Sequence, residues 1–503
     1  MAVAVPAELG ALREQLAELA DIQGAMAILS WDQNVCMPAA GHATRADQMA
    51  TLERLAHTRL VSPDVARLLE ALEPWAASED PDSDDVRLVR VARRDHEKSA
   101  AVPEQLAVEM ARAASNGYGA WLAARENGDF SRFAPALERQ VELRRQYVAC
   151  FTDAAHPYDV LLDDFEPGIT LAEVRPLFAT LVAGLQPLLA AANDVPNSLQ
   201  ADDLPIADQR TLLREVLGLI GFDSDSWRLD DTAHPFAQSS GVGDVRITTR
   251  YSATDLGSSL YSGLHEFGHG LYEASFAPAL ARTPLYDAAS LGMHESQSRM
   301  WENLVGRGRP FATWVLPHLQ EHLPGAYGAM DVDTFYRGLN CVQRTLIRTE
   351  ADETTYNLHV ALRLELELGL LENRLEVPAL PEAWNEGMHR LLGVEVPSDA
   401  QGVLQDVHWS SGLFGYFPTY TLGNVMAAQL WAQLRQDIPD VDERIEAGDF
   451  APLREWLREH IHRHGRKYTQ RELLRRATRQ EIDVQPFLDY LGTKLRDAGV
   501  IPA

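Results

Sequence analysis

The chain has 503 residues, 46% of them hydrophobic, with a formal net charge of -28 and a sequence pI near 4.9. That length can bury a large core and by itself suggests roughly two to four domains, while the excess of acid disfavours nucleic-acid and anionic-membrane partners through long-range repulsion. Cys36, Cys150 and Cys341 are few, odd in number and far apart, so they provide neither a disulfide framework nor a cysteine-rich metal site, and they point to a reducing compartment, by default the cytoplasm.

The first twenty residues meet acid within ten positions and lack a basic segment followed by an apolar core, so no signal peptide is expected there. Leu9, Leu12, Leu16 and Leu19 mark an amphipathic helix; a coiled-coil seam has the same spacing but needs a longer run. Residues 30–38, SWDQNVCMP, read as an aromatic and polar break before a helix at 45–55, with Trp31 and Asp32 either shaping a site or, more commonly, joining helices. An acidic, proline-containing loop is expected at 77–85, and interrupted helical periodicity from Val86 to about Ala155. The most apolar window, 177–192, is short for a bilayer and is broken by Gln186 and Pro187, so a core helix is expected. The stretch 193–208, rich in Asp, Asn and Pro, is the best candidate for a subdomain boundary, and no tandem repeat is visible.

Strand-like alternation of Val245, Ile247 and Thr249 predicts a strand at 244–250. It is either an edge strand able to hold an extended peptide through its main chain or a small hairpin with no substrate contact, with equal weight on each. A helix follows at 256–272, where Leu256, Leu260, Leu264, Phe267 and Leu271 form an apolar face. This helix carries His265-Glu266-Phe267-Gly268-His269. Two histidines four residues apart point the same way, and the glutamate between them reaches whatever both bind, which is the pattern of zinc hydrolases. Gly268 and Gly270 cost helix stability but permit close packing. Such a pattern arises by chance in roughly a few chains in a hundred at this composition. The next helix lowers those odds, because its His294-Glu295-Ser296-Gln297 supplies Glu295 as a third ligand. Two histidines and a carboxylate leave one zinc position open for water.

Gly306 to Pro310 should stop that helix. A long helix is expected at 342–372, with Arg348, Asp352, Tyr356 and His359 on one face that meets either solvent or a lined cavity. Residues 402–424 read as a loop dense in aromatics and glycine, in which His408, Tyr416 and Tyr420 are candidate donors to an oxyanion. His460 and His464 repeat the four-residue spacing, but no acid occupies the position that the glutamate takes in HExxH and Gly465 is expected to end their helix, so a helix-terminal role is expected.

These motifs, in this order, resemble the carboxypeptidase Taq family of metallocarboxypeptidases: His234-Pro235-Phe236, Asp244-Val245-Arg246-Ile247-Thr248, HEFGH at 265–269, HESQ at 294–297, IRTEADETTYNLH at 347–359 and Gly402-Val403-Leu404-Gln405-Asp406-Val407-His408-Trp409. Trp31-Asp32 and Met37-Pro38 extend the resemblance to the whole chain. The resemblance implies a mostly helical single domain over 1–503, with a long substrate groove between two helical halves and a small sheet beside the zinc helix, similar to angiotensin-converting enzyme and neurolysin. It also implies a cytoplasmic homodimer that removes C-terminal residues from short peptides with broad specificity, using one zinc ion per chain or cobalt in its place.

In the expected mechanism, zinc sits on His265, His269 and Glu295, and Glu266 is the general base. By resemblance to related peptidases Tyr420 is the oxyanion donor, with His408 second; Tyr416 and His234 are substrate-binding candidates. A free carboxylate is best matched by a bidentate arginine, Arg348 or alternatively Arg246. His234 belongs to a motif that, in the family, borders the closed end of the groove. The competing readings are an endo-acting oligopeptidase of the neurolysin kind, against which HESQ and the Arg348 segment argue, and a silent peptide-binding scaffold, which should have lost Glu266 or a ligand.

Overall fold

Leu9, Leu12, Leu16 and Leu19 form the buried stripe of helix Ala7–Val35 in the computed structural model, which describes residues 5–503. Residues 1–4 of the N-terminal stretch discussed above lie outside the described residues. The expected break at 30–38 begins later, since the helix runs through Trp31 and Asp32 and ends at Val35. Trp31 is buried there, with the guanidinium groups of Arg228 and Arg246 4.7 and 4.6 Å from its ring centroid.

The chain folds into two compact units. The first comprises the chain up to Ala100, Leu199–Phe335 and Leu430–Glu481. One of its cores joins Leu9, Leu12 and Leu16 to Leu68, Leu69 and Leu72 of helix Pro63–Ser78 and to Val86 and Val89 of helix Asp84–Ala101. The second comprises Ala101–Ser198, Tyr336–Gln429 and Ile482–Ala503. One passage between the units, Ser198 to Leu199, falls inside the stretch 193–208.

The first unit contains a three-stranded sheet of β1 (Trp227–Asp231), β2 (Ala237–Gly241) and β3 (Asp244–Thr249) in the order β1-β3-β2. β3 runs parallel to β1 and antiparallel to β2. It is therefore the central strand, which corrects the edge-strand expectation: both of its hydrogen-bonding edges are taken, so it cannot add a peptide. Val245 and Ile247 are buried on the side of the helix that follows, and the segments His234-Pro235-Phe236 and Asp244 to Thr248 are tied together, the Thr248 amide donating to the Phe236 carbonyl and the Phe236 amide to Thr248 Oγ1.

In the second unit, helix Leu171–Ala191 begins at a Thr170–Glu173 capping box, six residues before the apolar window picked out by composition. At 21 residues it is long and apolar enough to cross a membrane, which corrects the expectation that it is too short. Its buried residues Leu171, Val174, Phe178, Leu181, Leu185 and Leu189 recur at three and four, so it packs one face on helix Glu353–Leu371 and only 28% of its apolar window is buried.

The helix expected at 342–372 starts only at Glu353. Asp352 caps it, accepting from the Thr354 and Thr355 amides, and Arg348 lies in a separate 3-10 turn, Arg348–Glu350. Residues 402–424 are likewise only partly loop, because Pro418 opens helix Pro418–Asp437 and places Tyr420 in its first turn. Helix Ala451–His460 stops before His464, and His462 just beyond it is fully buried.

Candidate metal centre and active site

Helix Leu260–Ala274 presents His265 and His269 one turn apart, and helix Leu291–Arg299 brings Glu295 to them. The two helices approach closely at Gly268, where a Cβ would lie 2.5 Å from the Gln297 carbonyl oxygen and 2.6 Å from Ser298 Cα. Gly270 serves the opposite side, against Trp227 and Ile247 of the sheet. Both glycines thus permit the close packing their positions suggested.

His265 Nε2 and His269 Nε2 are 3.2 Å apart, and Glu295 Oε2 lies 3.7 and 3.5 Å from them. A tetrahedral ion with bonds of about 2.0–2.1 Å holds its donors about 3.3–3.4 Å apart, so this set fits a divalent metal. Among the described residues, His265, His269 and Glu295 form the one such group, with their donor atoms within 4.8 Å of one another.

The surroundings prepare these donors. His265 Nδ1 donates to Glu302 Oε2 at 2.8 Å, leaving the Nε2 lone pair facing the site. Arg299 binds Glu295 Oε1 through Nε at 2.7 Å and Glu302 Oε2 through Nη1 at 3.0 Å. Burial opposes charge on both carboxylates, yet Arg299 and the histidines hold both well below the usual range. Burial, reinforced by His294, lowers the His269 pKa to about 3, so the ring is neutral. His294 stacks on His269 with centroids 4.2 Å apart and is bonded to Glu273 at 2.9 Å. Behind the second ligand helix, His462 Nε2 donates to Gln297 Oε1 at 2.8 Å.

Glu302 escaped the sequence reading. It lies in a π-helical turn, Met300–Val305, continuing the Glu295 helix, and Glu295, Arg299 and Glu302 are spaced by four and three, the signal that would have found it. Glu266, 5% exposed, has its pKa raised to about 7, chiefly by burial, so it can exchange a proton near neutrality.

Arg246 lies in the same unit, with Nε and Nη2 on Asp244 at 2.8 and 2.9 Å and its guanidinium stacked on Trp31. His234 is exposed in the connection from β1 to β2.

The second unit gathers the other candidates. His408 Nε2 is 3.2 Å from Tyr420 Oη, and Tyr416 packs edge-on to Tyr420 at 5.5 Å. All three are partly exposed. Arg348, 4% exposed, donates to Asp406 Oδ1 through Nε and Nη2 at 3.1 and 2.8 Å and to Tyr356 Oη through Nη1 at 2.8 Å, with its guanidinium 4.8 Å from the Tyr420 ring. Asp406 also accepts from Arg363, and the two arginines hold it ionised against burial.

The family described as Carboxypeptidase Taq (M32) metallopeptidase matches residues 11–495. The chain belongs to this family. It is 42% identical over 481 residues to thermostable carboxypeptidase 1 of Thermus thermophilus, covering 93% of this chain and 94% of that protein, and 36% identical over 474 residues to carboxypeptidase 1 of Bacillus subtilis, with the same coverage. The M32 carboxypeptidase structure from Deinococcus radiodurans superposes with a TM-score of 0.94 at 38% identity, covering 98% of this chain and all of that one. A metallopeptidase of the Taq family works with a divalent metal, for which the His-His-Glu group has the right donors.

Proposed function

We propose that this Taq-family enzyme is a carboxypeptidase that releases C-terminal amino acids stepwise from short peptides with broad specificity, using one zinc ion per chain, with cobalt as the alternative. The observation that carries the reading is the convergence of His265 Nε2, His269 Nε2 and Glu295 Oε2 at tetrahedral donor spacing beside the buried Glu266. The full-length match to a carboxypeptidase family disfavours an endo-acting oligopeptidase, and retention of Glu266 with all three donors disfavours a silent scaffold.

The metal, when bound, supplies Lewis acidity, lowering the pKa of a water and polarising the scissile carbonyl. Glu266 takes the proton of the attacking water and returns it to the leaving amine; its raised pKa favours both steps near neutral pH. Glu302 fixes the His265 tautomer, and Arg299 orients the Glu295 carboxylate. Tyr420 is assigned as donor to the carbonyl oxygen, with His408 second and Tyr416 beside them; their partial exposure and the contact between His408 and Tyr420 support this. Arg348 is the first choice for the substrate carboxylate, and since Asp406 and Tyr356 already take three of its donors, it would meet that carboxylate with those remaining. Arg246 is the alternative for the carboxylate, and His234 is a further substrate-binding candidate. Cytoplasmic location, suggested by the cysteine usage, and a homodimer, carried from the family resemblance, complete the proposal.

The test is a time course on short peptides. Free amino acids should appear one after another from the carboxyl end, cease on chelation and resume when a divalent metal is restored. Internal fragments as first products would overturn the reading.

A further inference from the structure

The segment carrying His408 and Tyr416 leads into the first turn of the Tyr420 helix, and between Ser411 and Pro418 it has neither helix nor strand to fix it. Gly412 and Gly415 have φ of +73° and +80°, and a Cβ on Gly415 would lie 2.6 Å from the Leu161 carbonyl oxygen. Such a segment depends on contacts from outside itself. Trp409 supplies part of them, packed against Phe414 and Phe417 and edge-on to Trp384.

Two more converge on one atom group. Glu367, fully buried on helix Glu353–Leu371, accepts from Trp409 Nε1 at 2.8 Å on Oε1, and from the Gly415 amide at 2.9 Å and Tyr158 Oη at 2.7 Å on Oε2. Trp409 is the neighbour of His408, and Gly415 the neighbour of Tyr416. One carboxylate therefore grips the segment at both ends. Indole N–H and backbone N–H donate only, so the site calls for a group that accepts on both of its atoms. A glutamine there would turn its NH2 on one of these two donors whichever way it were flipped.

We propose that Glu367 is a positioning residue for catalysis, holding His408, Tyr416 and Tyr420 in register through its bonds to Trp409 and Gly415. This rests on the assignment of those three side chains to the substrate in the proposed function. Glu367 itself touches no reacting atom and works only through the segment it grips. The third bond, from Tyr158, satisfies the carboxylate without contacting the segment, which separates positioning from simple burial.

The experiment compares metal-loaded Glu367→Gln, Trp409→Phe and Tyr158→Phe enzymes with the wild type, measuring metal content, melting temperature, kcat and KM on a free-acid peptide, and hydrogen exchange at 402–417. Glu367→Gln and Trp409→Phe should keep the metal and lose kcat/KM by about ten- to a hundredfold, the usual consequence of a misplaced reacting group, with faster exchange at 402–417. Tyr158→Phe should stay within about twofold of the wild-type rate whatever it does to the melting temperature, the control for a merely structural effect. Wild-type rates in both Glu367→Gln and Trp409→Phe would overturn the proposal, as would an equal loss in Tyr158→Phe. His408→Ala and Tyr420→Phe test the underlying assignment separately: wild-type rates in both would remove it, whereas losses there with none in Glu367→Gln would sink only the role of Glu367.

Discussion

Glu302 accepts the Nδ1 hydrogen of His265 at 2.8 Å, and so decides which nitrogen of that ring faces the metal site. Removing this acceptor leaves the ring free to rotate or change tautomer. Glu302→Ala should therefore weaken metal binding by about ten- to a hundredfold while the fold survives. Metal titration by competition with a chelator measures this, and an unchanged affinity would show that the tautomer is fixed by something else.

Glu266→Gln should retain the metal and lose turnover by about a hundred- to ten-thousandfold, because the amide cannot take the water proton while its size preserves the site. The check is kcat per bound metal on a free-acid peptide. Near-normal rates would assign the base to another residue.

Gly268→Ala tests how closely the two ligand helices must pack. The added methyl meets the backbone of Gln297 and Ser298 at 2.5–2.6 Å, which no side-chain rotation relieves. The helices must then part, at a cost of about 1–3 kcal/mol and with loss of metal affinity, since His269 and Glu295 move relative to each other. A variant with the wild-type melting temperature and metal affinity would contradict this.

Glu367 links pH to stability. Burial raises its pKa to about 7, against the lowering effects of Tyr158, Gly415, Trp409 and the more distant charge of Arg363. A carboxyl with a raised folded-state pKa holds its proton in the folded state when the unfolded chain has already lost it, so stability falls as pH rises between its ordinary value and about 7. Across that window the wild type should lose roughly 3 kcal/mol relative to Glu367→Gln, which does not titrate. Parallel unfolding curves at several pH values decide it, and a difference that does not change with pH would mean that Glu367 titrates normally.

The parts of the molecule legible in the sequence are those set by local periodicity. The HEFGH helix, the strand at 244–249 and the Leu9 to Leu19 stripe follow from repeats of 3.6 and 2. Side chains settled by tertiary contact were harder to read. Trp31 lies inside a helix and is buried against two arginines, β3 is central because β1, whose residues pair with those 18 positions later, takes its second edge, and Arg348 leaves the following helix because Asp352 caps it. The His-His-Glu group was legible as a motif, whereas Glu302 and Glu367 were not, since nothing in a single sequence says which of its many glutamates is buried against a histidine or a backbone amide.

The carboxypeptidase assignment itself is tested most directly by pairing one short peptide with its C-terminally amidated form. An arginine that recognises the free carboxylate loses a charge-assisted bidentate partner in the amide, so the amidated peptide should be cleaved about a hundredfold more slowly or worse, and only the free acid should yield single amino acids from its carboxyl end. Equal cleavage of the two peptides, with internal fragments released first, would contradict the assignment.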